Sequence, residues 1–167
     1  QSRPPAAPPA SPPGVDFWAP DWMMRELWGP DRMSKSMHVR MLRHMTFMNY
    51  GVPREYEGAR STVVPSPETT VAGGKLYGEH CASCHGRSGL GDGDAGRALS
   101  PSPALLAFMV RRPISVDEYL LWSIAEGGKA FDSEMPAFKD KLKPDDIWRI
   151  VAYMRAGFPV TEGAAPR

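Results

Sequence analysis

The sequence predicts an all-α protein, on three observations. Several segments carry apolar residues at helical spacing between recognisable start and stop residues. No stretch alternates apolar and polar residues as a half-buried strand would. Eighteen prolines and sixteen glycines in 167 residues place the remainder in loops.

The elements follow in order. Residues 1–14 are proline-rich with little to bury, and read as an extended, semi-rigid segment. Residues 15–60 form a different region, holding Phe17, Trp18, Trp22, Trp28, Phe47, Tyr50 and Tyr56. Asp21 as N-cap and Gly29-Pro30 as stop predict a short helix over "DWMMRELW". A second helix is expected from about Ser34 to Tyr50, closed by Gly51 and Pro53. Residues 61–70 carry two prolines among serines and threonines and read as a linker. Residues 71–167 then read as a helical domain. A helix over about Gly73–Cys81 precedes a glycine-rich loop. Ser115 and Glu118 are spaced as a capping box for the next helix, which Gly127 stops. The last helix has Asp145 and Asp146 in its first turn, where the helix dipole favours negative charge, and ends at Gly157.

Composition narrows the chemistry. A net charge of +1 gives no reason to invoke nucleic acid, and no apolar run is long enough to span a bilayer. The two cysteines, Cys81 and Cys84, lie too close together to staple distant segments. A structural zinc site needs four protein ligands, which two thiols and scattered histidines do not supply. No nucleophile–base arrangement is recognisable.

"CASCH" is the strongest signal. Cys-x-x-Cys-His attaches a c-type haem: two thiols add to the porphyrin vinyl groups and the next histidine reaches the iron. Cys81 and Cys84 are the expected thioether residues and His85 the proximal ligand. The competing reading, a thioredoxin-type redox pair, wants a preceding strand and a βαβ context that is missing here.

With Gly73, Tyr77 and Cys81 four residues apart, and Ile150 and Tyr153 in "IVAYM", the chain resembles the class I monohaem c-type cytochromes. The resemblance runs from Gly73 to about Phe158. It implies the class I cytochrome c fold over about 71–160, the first and last helices packing at the glycine and the aromatics. It also implies a methionine followed by proline as sixth ligand of the iron, which "SEMPAF" matches at Met135. A proline carbonyl accepting the proximal histidine's N–H is implied at Pro101 or Pro103, with Pro103 the closer match. Trp122 and Phe138 are candidate walls of the haem pocket, for which ordinary core packing is an equal alternative. His80 is the bis-histidine alternative to Met135, while Met109 and Met154 fit core helical faces.

Covalent haem attachment of this kind implies a periplasmic, exported protein whose signal has been removed. With both axial positions filled, the implied function is electron transfer through a single haem c. The favoured reading is a cytochrome subunit docked on a periplasmic oxidoreductase such as a dehydrogenase. The alternatives are a freely diffusing shuttle, and a haem sensor or enzyme in which Met135 is displaced. The favoured reading gives residues 15–60 a use. Met33, Met37, Met41, Met45 and Met48 occupy an arc of about 120° on a helical wheel. Lys35, Arg40 and Arg43 fall outside it, and no acidic residue lies between Arg32 and Tyr50. Methionine suits irregular protein–protein contacts. The arc is expected to face a partner, with packing on the chain's own haem domain as the competing outcome.

Overall fold

A computed structural model of the chain describes residues 35–161, with side chains of its first helix described from Met41 onward. The expected polyproline segment and the helix over "DWMMRELW" lie outside these residues. All described residues belong to one compact unit, and none of them forms a strand.

Six α-helices follow in order: α1 Lys35–Tyr50, α2 Pro67–His80, α3 Ala82–His85, α4 Leu106–Met109, α5 Asp117–Glu126 and α6 Pro144–Arg155. Short 3-10 turns lie at Arg54–Tyr56, Asp94–Gly96 and Lys129–Phe131. The core is built where α2 meets α6. A Cβ added at Gly73 would stand 2.0 Å from the Arg149 carbonyl oxygen and 2.9 Å from Tyr153 Cβ. Only glycine lets the two backbones come this close. Beside the contact, Tyr77 meets Tyr153 at 5.4 Å between ring centroids and Phe158 at 5.2 Å. Such tilted and edge-on pairs add to the gain from burying the rings. Ile150, also expected at this contact, is buried.

Three boundaries differ from expectation. Helix α2 starts six residues before Gly73, because Ser66 and Thr69 exchange side-chain-to-backbone bonds as a capping box and Pro67 fills the first turn. The last residues of the expected linker are therefore helical. The capping box expected at Ser115 and Glu118 does not form. The Ser115 hydroxyl is buried and donates to the Met109 carbonyl, while Glu118 accepts the Gly58 N–H at 2.7 Å. The third difference concerns the division at residue 60. Val52 and Tyr56 are buried in the same core as α5 and α6, and Phe47 packs edge-on against Tyr119 at 4.9 Å.

Those first-turn and last-turn acids of α5 have become anchors. Asp117 accepts the Ser61 N–H at 2.8 Å and pairs with Arg155 at 2.7 Å. Glu126 accepts the Tyr56 hydroxyl at 2.6 Å and pairs with Lys139 at 2.9 Å. Thr62 reaches Asp145 at 2.7 Å. The segment after α1 is thus bonded to α5 and α6 along its length.

The side chains of Met33 and Met37 lie outside the described residues, and the other three methionines of the arc are not on the face that α1 lays on the domain. Arg43 and Phe47 turn inward, whereas Met41, Met45 and Met48 are 42%, 48% and 63% exposed. Leu42 and Tyr50 are exposed as well.

Candidate haem-attachment site

The candidate site is built on a single turn. Cys81 closes α2 with its N–H on the Tyr77 carbonyl at 2.9 Å, and its own carbonyl receives the N–H of Cys84 at 3.2 Å and of His85 at 2.9 Å. That turn holds both thiols and the imidazole within five residues of one short helix. The glycine-rich loop after it packs against the turn's backbone. The Gly93 N–H reaches the Cys84 carbonyl at 3.2 Å and the Gly91 N–H reaches that of His85 at 2.8 Å. A Cβ at Gly96 would stand 2.4 Å from the Cys84 carbonyl oxygen, so the loop closes only with glycine there. Tyr77, from the core, donates its hydroxyl to the Gly86 carbonyl at 2.6 Å.

Both cysteines are free, and the surroundings of Cys81 oppose thiolate chemistry. Burial, helped by Cys84, pushes the Cys81 thiol up to about 12. A redox-active Cys-x-x-Cys pair needs the opposite, a thiol held below its ordinary value. The donor set fits a c-type haem better: two thiols on one turn, and a histidine with one nitrogen held and the other left for a metal.

His85 shows how that nitrogen is selected. Its Nδ1 lies 3.0 Å from the Ala104 carbonyl oxygen, which makes Nδ1 the protonated nitrogen and leaves the Nε2 lone pair available to a metal. The acceptor expected at Pro103 is therefore one residue further on. Pro103 is buried and its carbonyl is directed at Gly91, where a Cβ would meet it at 2.9 Å. Its ring lies against Gly96. Pro103 shapes the loop, and Ala104 holds the imidazole. Burial lowers the His85 pKa and the Ala104 bond opposes this, with burial the larger. The ring is kept neutral, the form in which it binds metals.

The remaining candidates come from beyond α5. Met135 lies in the segment that returns from the Lys129–Phe131 turn. It is partly buried against the hydrophobic cluster that also contains Cys81, Trp122 and Phe138. Its carbonyl accepts the Gly128 N–H at 2.9 Å. Phe138 is buried, with its N–H on the Ala125 carbonyl at 3.0 Å and its ring 6.0 Å from that of His80. Trp122 is buried in an aromatic row, edge-on to Tyr119 at 6.0 Å and to Phe131 at 5.9 Å.

Two contributors escaped the sequence reading. The Ala104 carbonyl carries no side-chain signal at all. Arg43 donates from α1 to the Gly127 carbonyl, with its guanidinium 5.2 Å from the Phe131 ring centroid and 6.0 Å from that of Trp122. Its only sequence mark was a position outside the methionine arc. Among the described residues, no group of three or more His, Cys, Asp or Glu side chains could hold a metal ion. No helix there is long and apolar enough to cross a membrane.

Comparison with known proteins places these features. The family described as cytochrome C oxidase, cbb3-type, subunit III matches residues 68–154, just over half the chain. The match begins at the first turn of α2 and ends within α6. Quinohemoprotein alcohol dehydrogenase ADH IIB of Pseudomonas putida is 28% identical over 102 residues, 61% of this chain. The chain spans only 13% of that relative's length. Two solved structures are similar to part of the chain. One is the Kuenenia stuttgartiensis reducing HAO-like protein complex, with TM-score 0.49 and 22% identity over 66% of this chain and 53% of that one. The other is cytochrome CL from Methylophaga aminisulfidivorans, with TM-score 0.42 and 23% identity over 71% of this chain and 66% of that one.

Proposed function

The chain belongs to the family described as cytochrome C oxidase, cbb3-type, subunit III, and from this we propose that it transfers electrons through a single haem c. Cys81 and Cys84 would attach the haem, and His85 and Met135 would hold its iron. When bound, this group supplies one-electron redox chemistry at iron. The chain's own contribution is to hold it. The Cys81–His85 turn fixes the thiols, and the Ala104 carbonyl sets the imidazole tautomer. Bound there, the thioether of Met135 would favour the reduced iron, and the buried Trp122 and Phe138 would keep water from the cluster around it. With His85 and Met135 both on the iron, the chain would act as an electron carrier rather than an enzyme.

The observation that carries this reading is the His85 geometry, with Nδ1 held by a backbone carbonyl and Nε2 left for the metal. The test is spectroscopic. The purified protein should retain haem through denaturation, with mass added to the peptide containing Cys81 and Cys84. Its ferric form should show the weak Met–Fe(III) charge-transfer band, and Met135→Ala should lose it. Haem extracted by acidified solvent, or an unchanged band in Met135→Ala, would overturn the assignment.

For the setting, we propose a cytochrome subunit docked on a periplasmic oxidoreductase, contacted through the 15–60 extension. Two findings support it. The relative from Pseudomonas putida is named as a dehydrogenase of which this chain spans a small part. The described part of the extension turns Met41, Met45 and Met48 outward instead of spending them on its own core. Periplasmic location rests on where covalent haem attachment takes place. Replacing Met41, Met45 and Met48 together by serine should leave the haem spectrum unchanged and abolish co-purification of the redox partner. If the native protein purifies alone and passes electrons at diffusive rates, it is a free shuttle.

A further inference from the structure

Arg43 has no place in the haem chemistry described above, yet it is bonded to the loop that presents Met135. Gly127 stops α5 with φ +67°, a left-handed conformation that favours glycine. The adjoining backbone lies directly on the segment carrying the proposed ligand. A Cβ at Gly127 would stand 2.5 Å from the Pro136 carbonyl and 2.6 Å from the Met135 carbonyl oxygen. The next N–H, of Gly128, donates to the Met135 carbonyl at 2.9 Å. The Gly127–Gly128 backbone is therefore the rail against which the Met135 main chain is set.

The carbonyl of Gly127 is held from outside the loop. Arg43 donates to it from α1, across 84 residues of sequence. The guanidinium is fixed in turn by Phe131 and Trp122, whose ring centroids lie 5.2 Å and 6.0 Å from it. A cation between aromatic faces is attracted to both. Phe47, one turn further along α1, seats the helix through Tyr119. One side chain thus links the N-terminal helix, the aromatic row of α5 and the ligand loop.

From this geometry we infer that Arg43 is a positioning residue for Met135: through the Gly127 carbonyl it holds the ligand loop closed and keeps the thioether on the iron. The inference rests on the assignment of Met135 as an axial ligand. It places the control of that ligand in a part of the chain outside the haem-binding segment itself. Deleting the bond leaves Gly127 without its outer tether, and the loop can lift away more often. Exchange of the methionine for an added ligand then speeds up.

Cyanide binding to the ferric holoprotein reads that opening directly. Arg43→Met removes the donor and the charge, Arg43→Gln keeps a donor, and Arg43→Lys keeps a donor and the charge. Cyanide should bind about tenfold faster to Arg43→Met, the factor expected when one hydrogen bond from a charged donor is lost. The glutamine and lysine variants should fall between it and the native protein, and the Met–Fe(III) band should weaken in the same order. Asp117→Asn weakens the ties to Ser61 and Arg155 at the far end of α5 without touching α1 or Gly127. It should lower the unfolding temperature and leave the cyanide rate at the native value. Should Arg43→Met fail to accumulate with haem, the glutamine and lysine variants carry the comparison. Native rates in all Arg43 variants that fold would overturn the inference, and so would an Asp117→Asn rate as fast as theirs. A native protein that lacks the charge-transfer band would instead overturn the assignment of Met135, on which the inference depends.

Discussion

A few positions tolerate no replacement for reasons that can be stated in ångströms. Gly73 is the sharpest case, since any Cβ there would enter the Arg149 carbonyl. Neither α2 nor α6 can yield without moving Tyr77 and Tyr153, which are interlocked beside it. Gly73→Ala should therefore cost about 3 kcal/mol or more, at the upper end for overpacking a core, as read from denaturant midpoints. The tyrosine hydroxyls behave differently. Tyr77→Phe removes the bond to the Gly86 carbonyl but keeps the ring, and should cost about 1 kcal/mol. That substitution should leave the charge-transfer band in place, because the bond braces the loop after the attachment turn rather than the iron ligands. Ala104 and Met135 contrast in the same way: the first contributes only its carbonyl, so Ala104→Ser should be nearly neutral, whereas Met135→Ala removes the proposed ligand.

Among the elements, α1 shows how an amphipathic pattern can mislead about which side is buried. Its methionine arc is the more apolar face, yet the inward residues are Arg43 and Phe47. The arginine covers aromatic rings with its flat guanidinium while bonding a backbone carbonyl, so a charged residue is accommodated at the packed face. The arc left outside is a set of flexible apolar side chains on a helix whose described residues include no acid. A partner surface with acidic groups around an apolar centre would match it. Replacing Met41, Met45 and Met48 by serine should change stability by no more than about 0.5 kcal/mol, as expected of exposed positions. Loss of one well-packed methionine contact would weaken partner binding by about tenfold or more, measurable by titration calorimetry. Helix α5 is the counterpart. Glu118 was expected in a capping box with Ser115, but the fold uses Asp117, Glu118 and Glu126 to bind residues 56–61. Asp117→Ala should cost about 2 kcal/mol, because it leaves the Ser61 N–H and Arg155 without their acceptor.

Taken as a whole, the molecule couples its N-terminal segment to the domain that carries the candidate haem site, and the coupling is sensitive to acid. The Tyr56 hydroxyl and the Lys139 amine hold the Glu126 carboxyl below its ordinary range. Burial pushes Asp117 upward, but the Ser61 N–H and Arg155 outweigh it and the net shift is downward. Groups with depressed folded values contribute stability above their unfolded pKa, about 4, and that contribution is lost as pH falls through the lower folded values. Stability should therefore be level from pH 7 to about 5 and fall below about 4. Asp117→Asn should flatten that fall, which a series of thermal melts would show. The attachment turn needs no such titration, since it is braced by backbone bonds.

Some of this architecture was legible without coordinates because its causes are local. The Cys81–His85 spacing, the Gly127 stop, the acidic first turn of α6 and the glycine–tyrosine period of α2 each follow from interactions between neighbours in sequence. The meeting of α2 with α6 was implied by the resemblance to the class I c-type cytochromes, carried by Gly73, Tyr77, Ile150 and Tyr153. Tertiary packing settled the rest. It moved the imidazole's acceptor from Pro103 to Ala104, gave the Ser115 hydroxyl to Met109, and turned Arg43 instead of the methionines toward the domain. In each case the partner is a backbone carbonyl or an aromatic face distant along the chain. A carbonyl is the same at every residue, so nothing in the sequence marks which one the fold will bring within 3 Å.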